Sequence, residues 1–263
     1  MLHHRIIGTG KPIVLLHGLA LDHRHMIDVM EPGFHANSNW QRIYVDLPGH
    51  GQSPGRAEIR SQDDLLEAVL DFLNILLPQG PFAIAGLSRG SYLARGIVHR
   101  MPQRITGAAL IVPGGNPSSD PARLPEPQVL APDPSIRPHL GQDELWAHDT
   151  ISVIQRWDIV EKRRQIIAPA RALFDQDQED RVSQAFDFSF AAAEATTQVD
   201  VPSLIVVGRQ DGLSGYLDGI DLMHRYTRST CAVLDTAGHG LGWERPDLFQ
   251  ALLRDWLDRM SLP

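Results

Sequence analysis

The chain has 263 residues, of which 43% are hydrophobic and 21% charged, and a formal net charge of -8. This is ordinary soluble usage with enough apolar material for a large core, and the acidic balance argues against the concentrated basic face that nucleic acid requires. Cys231 is the single cysteine, which excludes an intrachain disulfide and a stapled secreted scaffold. No stretch approaches the roughly 18 apolar residues of a membrane span, and the first residues lack a signal-peptide pattern. The expectation is a cytoplasmic protein with no nucleic-acid or membrane partner, and an oligomeric state left open between monomer and homodimer.

In chain order, short aliphatic runs alternate with longer amphipathic ones. "GTGK" at Gly8 lacks the full spacing of a phosphate loop and is followed by Pro12, so it reads as a hairpin turn. Strands are predicted at "PIVLLH" from Pro12, "RIYVD" from Arg42, "FAIAG" from Phe82, "ITGAALIV" from Ile105, "SLIVVG" from Ser203 and "CAVLD" from Cys231. Several are apolar throughout, as parallel strands covered on both faces must be. Between them, Ser61 caps a helix whose Leu65, Leu66, Val69, Leu73 and Leu76 recur at helical spacing. Further helices are expected from Ser88 to Arg100 and after Pro246. The alternation predicts a doubly wound α/β sheet.

The rhythm breaks after Val112, where eight prolines fall between Pro113 and Pro138. Helical patterns follow at Asp143 to Trp157, Ile159 to Asp175 with an interruption at Pro169, and Glu179 to Ala193. The expected organisation is a core of residues 1–112 and 201–263 with a helical cap, 113–200, inserted between two core strands. The basic run Lys162, Arg163, Arg164 reads as a solvated helix face.

Gly86-Leu87-Ser88-Arg89-Gly90 is a G-x-S-x-G stretch. A chain of this composition yields about 0.1 such matches by chance, so the pattern alone decides little. Its position does more: it follows "FAIA" and precedes "YLARGIVHR", the strand-to-helix turn that exposes a nucleophilic serine, with glycines where side chains would collide. A serine hydroxyl needs a base, and the base an orienting acid. Asp211 follows "SLIVVG" and His239 follows "CAVLD", giving the order Ser, Asp, His with each group just past a strand. Asp235 is the competing acid, while Asp218 and Asp221 look like polar helix positions. The backbone N–H groups of Leu19, after His17-Gly18, and of Arg89 are candidates for an oxyanion hole, with Gly18 permitting close approach.

On "LLHGLA", "VDLPGHGQS", "GLSRGS", "VVGRQD" and "AGHGLGWERPDLF", the chain resembles the α/β-hydrolase superfamily, in its lidded, cofactor-free branch. The resemblance implies an eight-stranded, mostly parallel sheet, a helical cap after the sixth strand, and hydrolysis through a covalent acyl-enzyme. It assigns Ser88 as nucleophile, His239 as general base and then acid, and Asp211 as the group fixing the imidazole; His50 lies in a turn that is usually structural in relatives. Arg89 is unusual beside the nucleophile and would either pair with an acid or reach an anionic substrate group. Trp146 and Trp157 are candidate substrate contacts in the cap, although helical spacing makes most cap aromatics core. No metal is expected, since neither His3-His4 nor His23-x-His25 shares a helix face or finds an acidic partner in sequence. Small-molecule ester hydrolysis is the preferred function; C–C bond hydrolysis of a dienone or diketone, and ligand reception with slow or no turnover, are the alternatives.

Overall fold

A computed structural model describes residues 1–36, 38–114 and 123–261. Seven strands, β1 (His4–Ile7), β2 (Lys11–Leu16), β3 (Trp40–Val45), β4 (Phe82–Leu87), β5 (Ile105–Ile111), β6 (Ser203–Gly208) and β7 (Ser229–Leu234), form one sheet in the order β1-β3-β2-β4-β5-β6-β7. Only β1 runs antiparallel, against β3. The expected eighth strand is absent among the described residues: β1 is the sheet edge, and the helical insertion follows the fifth strand rather than the sixth. The "GTGK" turn does reverse the chain, but β3 lies between β1 and β2, so the two strands are not a paired hairpin. β1 itself escaped the sequence reading because an edge strand reading "HRII" carries no apolar run.

Period-two alternation sends successive strand residues into two cores. Val14, Leu16, Ile84 and Leu110 pack with Leu65, Leu66, Val69 and Leu73 of α2 (Gln62–Leu76) and with Leu93 and Ile97 of α3 (Arg89–Arg100). Ile13, Leu15, Ala83, Ala85 and Ile111 pack on the other face against Met26, Val29 and Met30 of α1 (His23–Met30) and Leu253 and Trp256 of α11 (Pro246–Arg259). Ser61 caps α2 as predicted, its hydroxyl accepting the Asp64 N–H at 3.1 Å. From β2 the chain moves to β3 on one side and then to β4 on the other, so the topological switch point lies between the carboxyl ends of β2 and β4.

Between β5 and β6 stand α4 (Gln142–Thr150), α5 (Trp157–Lys162), α6 (Ala168–Arg171), α7 (Gln176–Val182) and α8 (Ala191–Thr196), and α9 (Leu217–Asp221) lies between β6 and β7; residues 115–122 of the expected insertion lie outside the described residues. The first predicted helix stops at Thr150, short of Trp157. A π turn at Arg163–Ile167 precedes Pro169, whose ring would otherwise meet the carbonyl of Gln165 in a regular helix. The third predicted helix breaks after Val182 because Phe186 and Phe188 turn inward onto α3. There Tyr92 stacks on Phe188 at 4.3 Å, and its hydroxyl accepts the Phe188 N–H at 3.1 Å. Trp146 and Trp157, by contrast, are 51% and 37% exposed, since α4 buries Ala147 and His148 and α5 buries Ile159 and Val160.

Buried polar bonds fasten the insertion to the core. Gln178 accepts the Arg56 N–H and donates to the Pro48 carbonyl, both at 2.8 Å. Glu194 pairs with Arg95 at 2.7 Å and with Arg225 at 2.8 Å. The basic run, read from sequence as a solvated face, is instead divided among partners: Lys162 pairs with Asp28, Arg164 with Glu144, and Arg163 donates to the Ser152 hydroxyl at 2.8 Å.

Glu194→Ala leaves two arginines facing each other without their carboxylate. It is expected to lower unfolding free energy by about 3 kcal/mol, measured as a decreased urea midpoint at unchanged slope.

Candidate active site

Ser88 sits between β4 and α3 with φ 53° and ψ -116°, a conformation that side chains avoid. The surroundings enforce it. A Cβ on Gly86 would lie 2.2 Å from the Gly90 carbonyl oxygen, and one on Gly90 would lie 2.2 Å from the Leu16 carbonyl oxygen. The turn therefore closes only with glycine at both places. The Ser88 N–H donates to the Ile111 carbonyl at 2.9 Å, extending the β4–β5 ladder through the turn. Ser91 donates its hydroxyl to the Gly86 carbonyl at 2.9 Å.

Across the switch point, a Cβ added to Gly18 would lie 3.4 Å from the Ser88 Cβ, so the loop after β2 runs directly beside the serine. Its conformation is set by His17. The Leu47 N–H donates to His17 Nε2 at 3.0 Å, which puts the ring proton on Nδ1, and Nδ1 then donates to the Gly18 carbonyl at 2.7 Å. With that carbonyl turned toward His17, the Leu19 N–H in the same trans peptide points the opposite way. The Arg89 N–H is in the first turn of α3, where helix donors have no intrahelical acceptor. Burial keeps the His17 pKa below its usual value, consistent with a neutral ring.

His239 follows β7 and Asp211 follows β6. His239 Nδ1 is 2.9 Å from Asp211 Oδ2, and the other carboxylate oxygen accepts the N–H groups of Leu213 and Ser214 at 2.9 and 3.0 Å. Asp211 is completely buried. The competing acid Asp235 is turned elsewhere, accepting from Gln210 at 3.0 Å, and Asp218 pairs with Arg123. Burial pulls the His239 pKa down, but the charge and hydrogen bond of Asp211, with the charge of Glu244, outweigh it and hold it above 6.5.

Glu244 was not singled out in the sequence. Buried on α10 (Leu241–Glu244), it accepts the Gly238 and Val153 N–H groups, both at 2.7 Å, tying the histidine loop to the insertion. Nothing in a local pattern could reveal this bridge, because Val153, its partner in the insertion, lies 91 positions away. Arg89 resolves toward its acid: the guanidinium is buried, pairs with Glu179 of α7 and lies 4.7 Å from the Phe186 ring centroid. Neither Trp146 nor Trp157 reaches the serine loop in the described contacts; Trp157 faces His139. Two more buried imidazoles flank the site: His50 is 5.1 Å from His17, and His25 packs 4.9 Å from Trp243.

The family model for the alpha/beta hydrolase fold matches residues 11–246. The chain is 24% identical to the 2-hydroxy-6-oxononadienedioate/2-hydroxy-6-oxononatrienedioate hydrolase of Burkholderia vietnamiensis, over 98% of this chain and 91% of the relative. It is 27% identical to the pimeloyl-[acyl-carrier protein] methyl ester esterase of Neisseria meningitidis, covering 94% and 93%. Among solved structures, an alpha/beta superfamily hydrolase from Oenococcus oeni superimposes with a TM-score of 0.89 at 25% identity, covering 98% of this chain and 96% of that one. No helix among the described residues is long and apolar enough to cross a membrane.

In a histidine-resolved NMR titration, His239 should titrate above 6.5. Glu244→Gln keeps a hydrogen-bond acceptor but removes a negative charge, so the midpoint should move to lower pH. An unchanged midpoint would mean that Glu244 holds the loop sterically and contributes nothing electrostatic.

Proposed function

Since this chain belongs to the alpha/beta hydrolase fold family, we propose that it is a serine hydrolase that cleaves a small-molecule carboxylic ester, or a related acyl substrate, through a covalent acyl-enzyme. The observation that carries this reading is the Asp211–His239 pair at 2.9 Å combined with a serine held at positive φ on a strand-to-helix turn. Ser88 Oγ attacks the acyl carbon while His239 takes its proton; Asp211 fixes the ring tautomer and stabilises the imidazolium. The Leu19 and Arg89 N–H groups receive the charge that develops on the carbonyl oxygen. The protonated imidazole then releases the alcohol, and a water deprotonated by His239 hydrolyses the acyl-enzyme. No step requires a cofactor. The insertion acts as the lid, and its anchoring through Glu244 and Gln178 supports a preformed cover over the cleft. A cytoplasmic setting belongs to the same reading, with Cys231 as the sole cysteine.

A second reading, C–C bond hydrolysis, is supported by the similarity to the oxononadienedioate hydrolase. The substrate in that relative's name contains no ester, so water must break a carbon–carbon bond. Steady-state rates on a chromogenic ester and on a vinylogous diketone separate the two: an ester burst with negligible diketone turnover supports the first, and the reverse supports the second.

Labelling with a fluorophosphonate probe, followed by peptide mapping, should modify Ser88. Ser88→Ala should abolish labelling and lower kcat by roughly 10⁴ to 10⁶ with the fold intact. Modification at another serine would overturn the nucleophile. Asp211→Asn should cost on the order of 10⁴ in kcat through the wrong imidazole tautomer; a near-neutral effect would remove the carboxylate from the mechanism.

A further inference from the structure

We propose that His3, His23 and Asp46 form a binding site for one divalent transition-metal ion behind the loop that carries Gly18 and Leu19. The three residues come from separate segments: His3 immediately precedes β1, His23 opens α1, and Asp46 directly follows β3. In sequence the histidines are seen as the neighbours His3-His4 and His23-x-His25, neither of which makes a ligand pair. The fold instead takes one from each and sets a carboxylate between them. His3 Nδ1 is 2.8 Å from Asp46 Oδ2, His23 Nδ1 is 2.9 Å from Asp46 Oδ1, and one ligand atom from each residue lies within 4.8 Å of the others.

Charge balance is the reason to expect an ion. Asp46 is completely buried, and a buried charge is either paired or coordinates a metal. Among the described residues its only ion-pair partners are the two imidazoles, which are cationic only when protonated. The nearby Arg24 is committed to Asp22. The carboxylate is aimed by two backbone donors, the His23 N–H at 2.8 Å and the Gln52 N–H at 3.0 Å.

Two imidazoles and one carboxylate suit zinc and its first-row neighbours, which take nitrogen ligands at about 2.0–2.1 Å and carboxylate oxygen at about 2.0–2.2 Å. The His3 side chain is 30% exposed, which opens the site to solvent and leaves room for water as a fourth ligand. On binding, each ring turns its Nδ1 lone pair to the ion and carries its proton on Nε2. The ion would cross-link the edge of the sheet to the start of α1, the helix that Asp22 caps just beyond the Gly18–Leu19 loop. This proposal is independent of the hydrolase mechanism.

The test is calorimetric titration of EDTA-treated protein with Zn2+, with Co2+ absorption spectra as a measure of ligand number and type. The expected result is one ion per chain, with affinity reduced at least about tenfold in His3→Ala and in His23→Ala and unchanged in His4→Ala. His3 is partly exposed at the sheet edge, so circular dichroism on His3→Ala keeps the test valid should the His23 variant fail to fold. Absence of binding up to millimolar Zn2+, or equal affinity in wild type and His3→Ala, overturns the site.

Discussion

The geometry of the candidate site depends on one strained residue. Backbone at φ 53° costs a non-glycine residue on the order of 1–3 kcal/mol and persists only where the surroundings leave no alternative. Here β4 is clamped between β2 and β5, α3 is pressed against the end of β2 at Gly90, and the Ser88 N–H is committed to the β5 ladder. A relaxed turn would break that ladder bond or drive α3 away from Leu16. The strain is therefore held by the central sheet, and the serine projects from the carboxyl end of a strand paired on both sides.

Around this fixed point the other groups are held by bonds that reach across the molecule. His17 turns the peptide after Gly18, Asp211 is oriented by its own loop's amides, and Glu244 bridges the histidine loop to the insertion. On the opposite side, Arg89 reaches from the turn to Glu179, so the insertion is joined both to the Ser88 turn and to the histidine loop.

What could be read from sequence followed how local its signal was. The strands β2 to β7 were visible because covered strands are continuous apolar runs, and Ser88, Asp211 and His239 were visible because each sits at a strand end in a recognisable order. β1 was not, since a half-exposed edge strand has no such run. The Phe186–Phe188 break in the third predicted helix depended on a docking surface at Tyr92, and the outward turn of Trp146 and Trp157 on which side of two short helices found a neighbour. Glu244 and the Asp46 partners were hidden for the same reason: their bonds join residues tens of positions apart, and no periodicity encodes such pairs. The expected eight strands came from resemblance, and this chain forms seven among the described residues.

The buried imidazoles around the cleft carry a consequence for acid tolerance. Burial lowers the pKa of His17, holds His25 at about 4 and holds His50 at about 3, so the folded protein keeps these rings uncharged well below neutrality. An unfolded chain would protonate each near 6.5. Because the denatured state then binds more protons, every such ring erodes stability by ~1.4 kcal/mol per unit of acidification between those limits. His239, with its elevated value, works in the opposite sense. The packing that gives the loop beside Ser88 its neutral, single-tautomer support thus also sets a proton-driven floor beneath which the fold itself gives way.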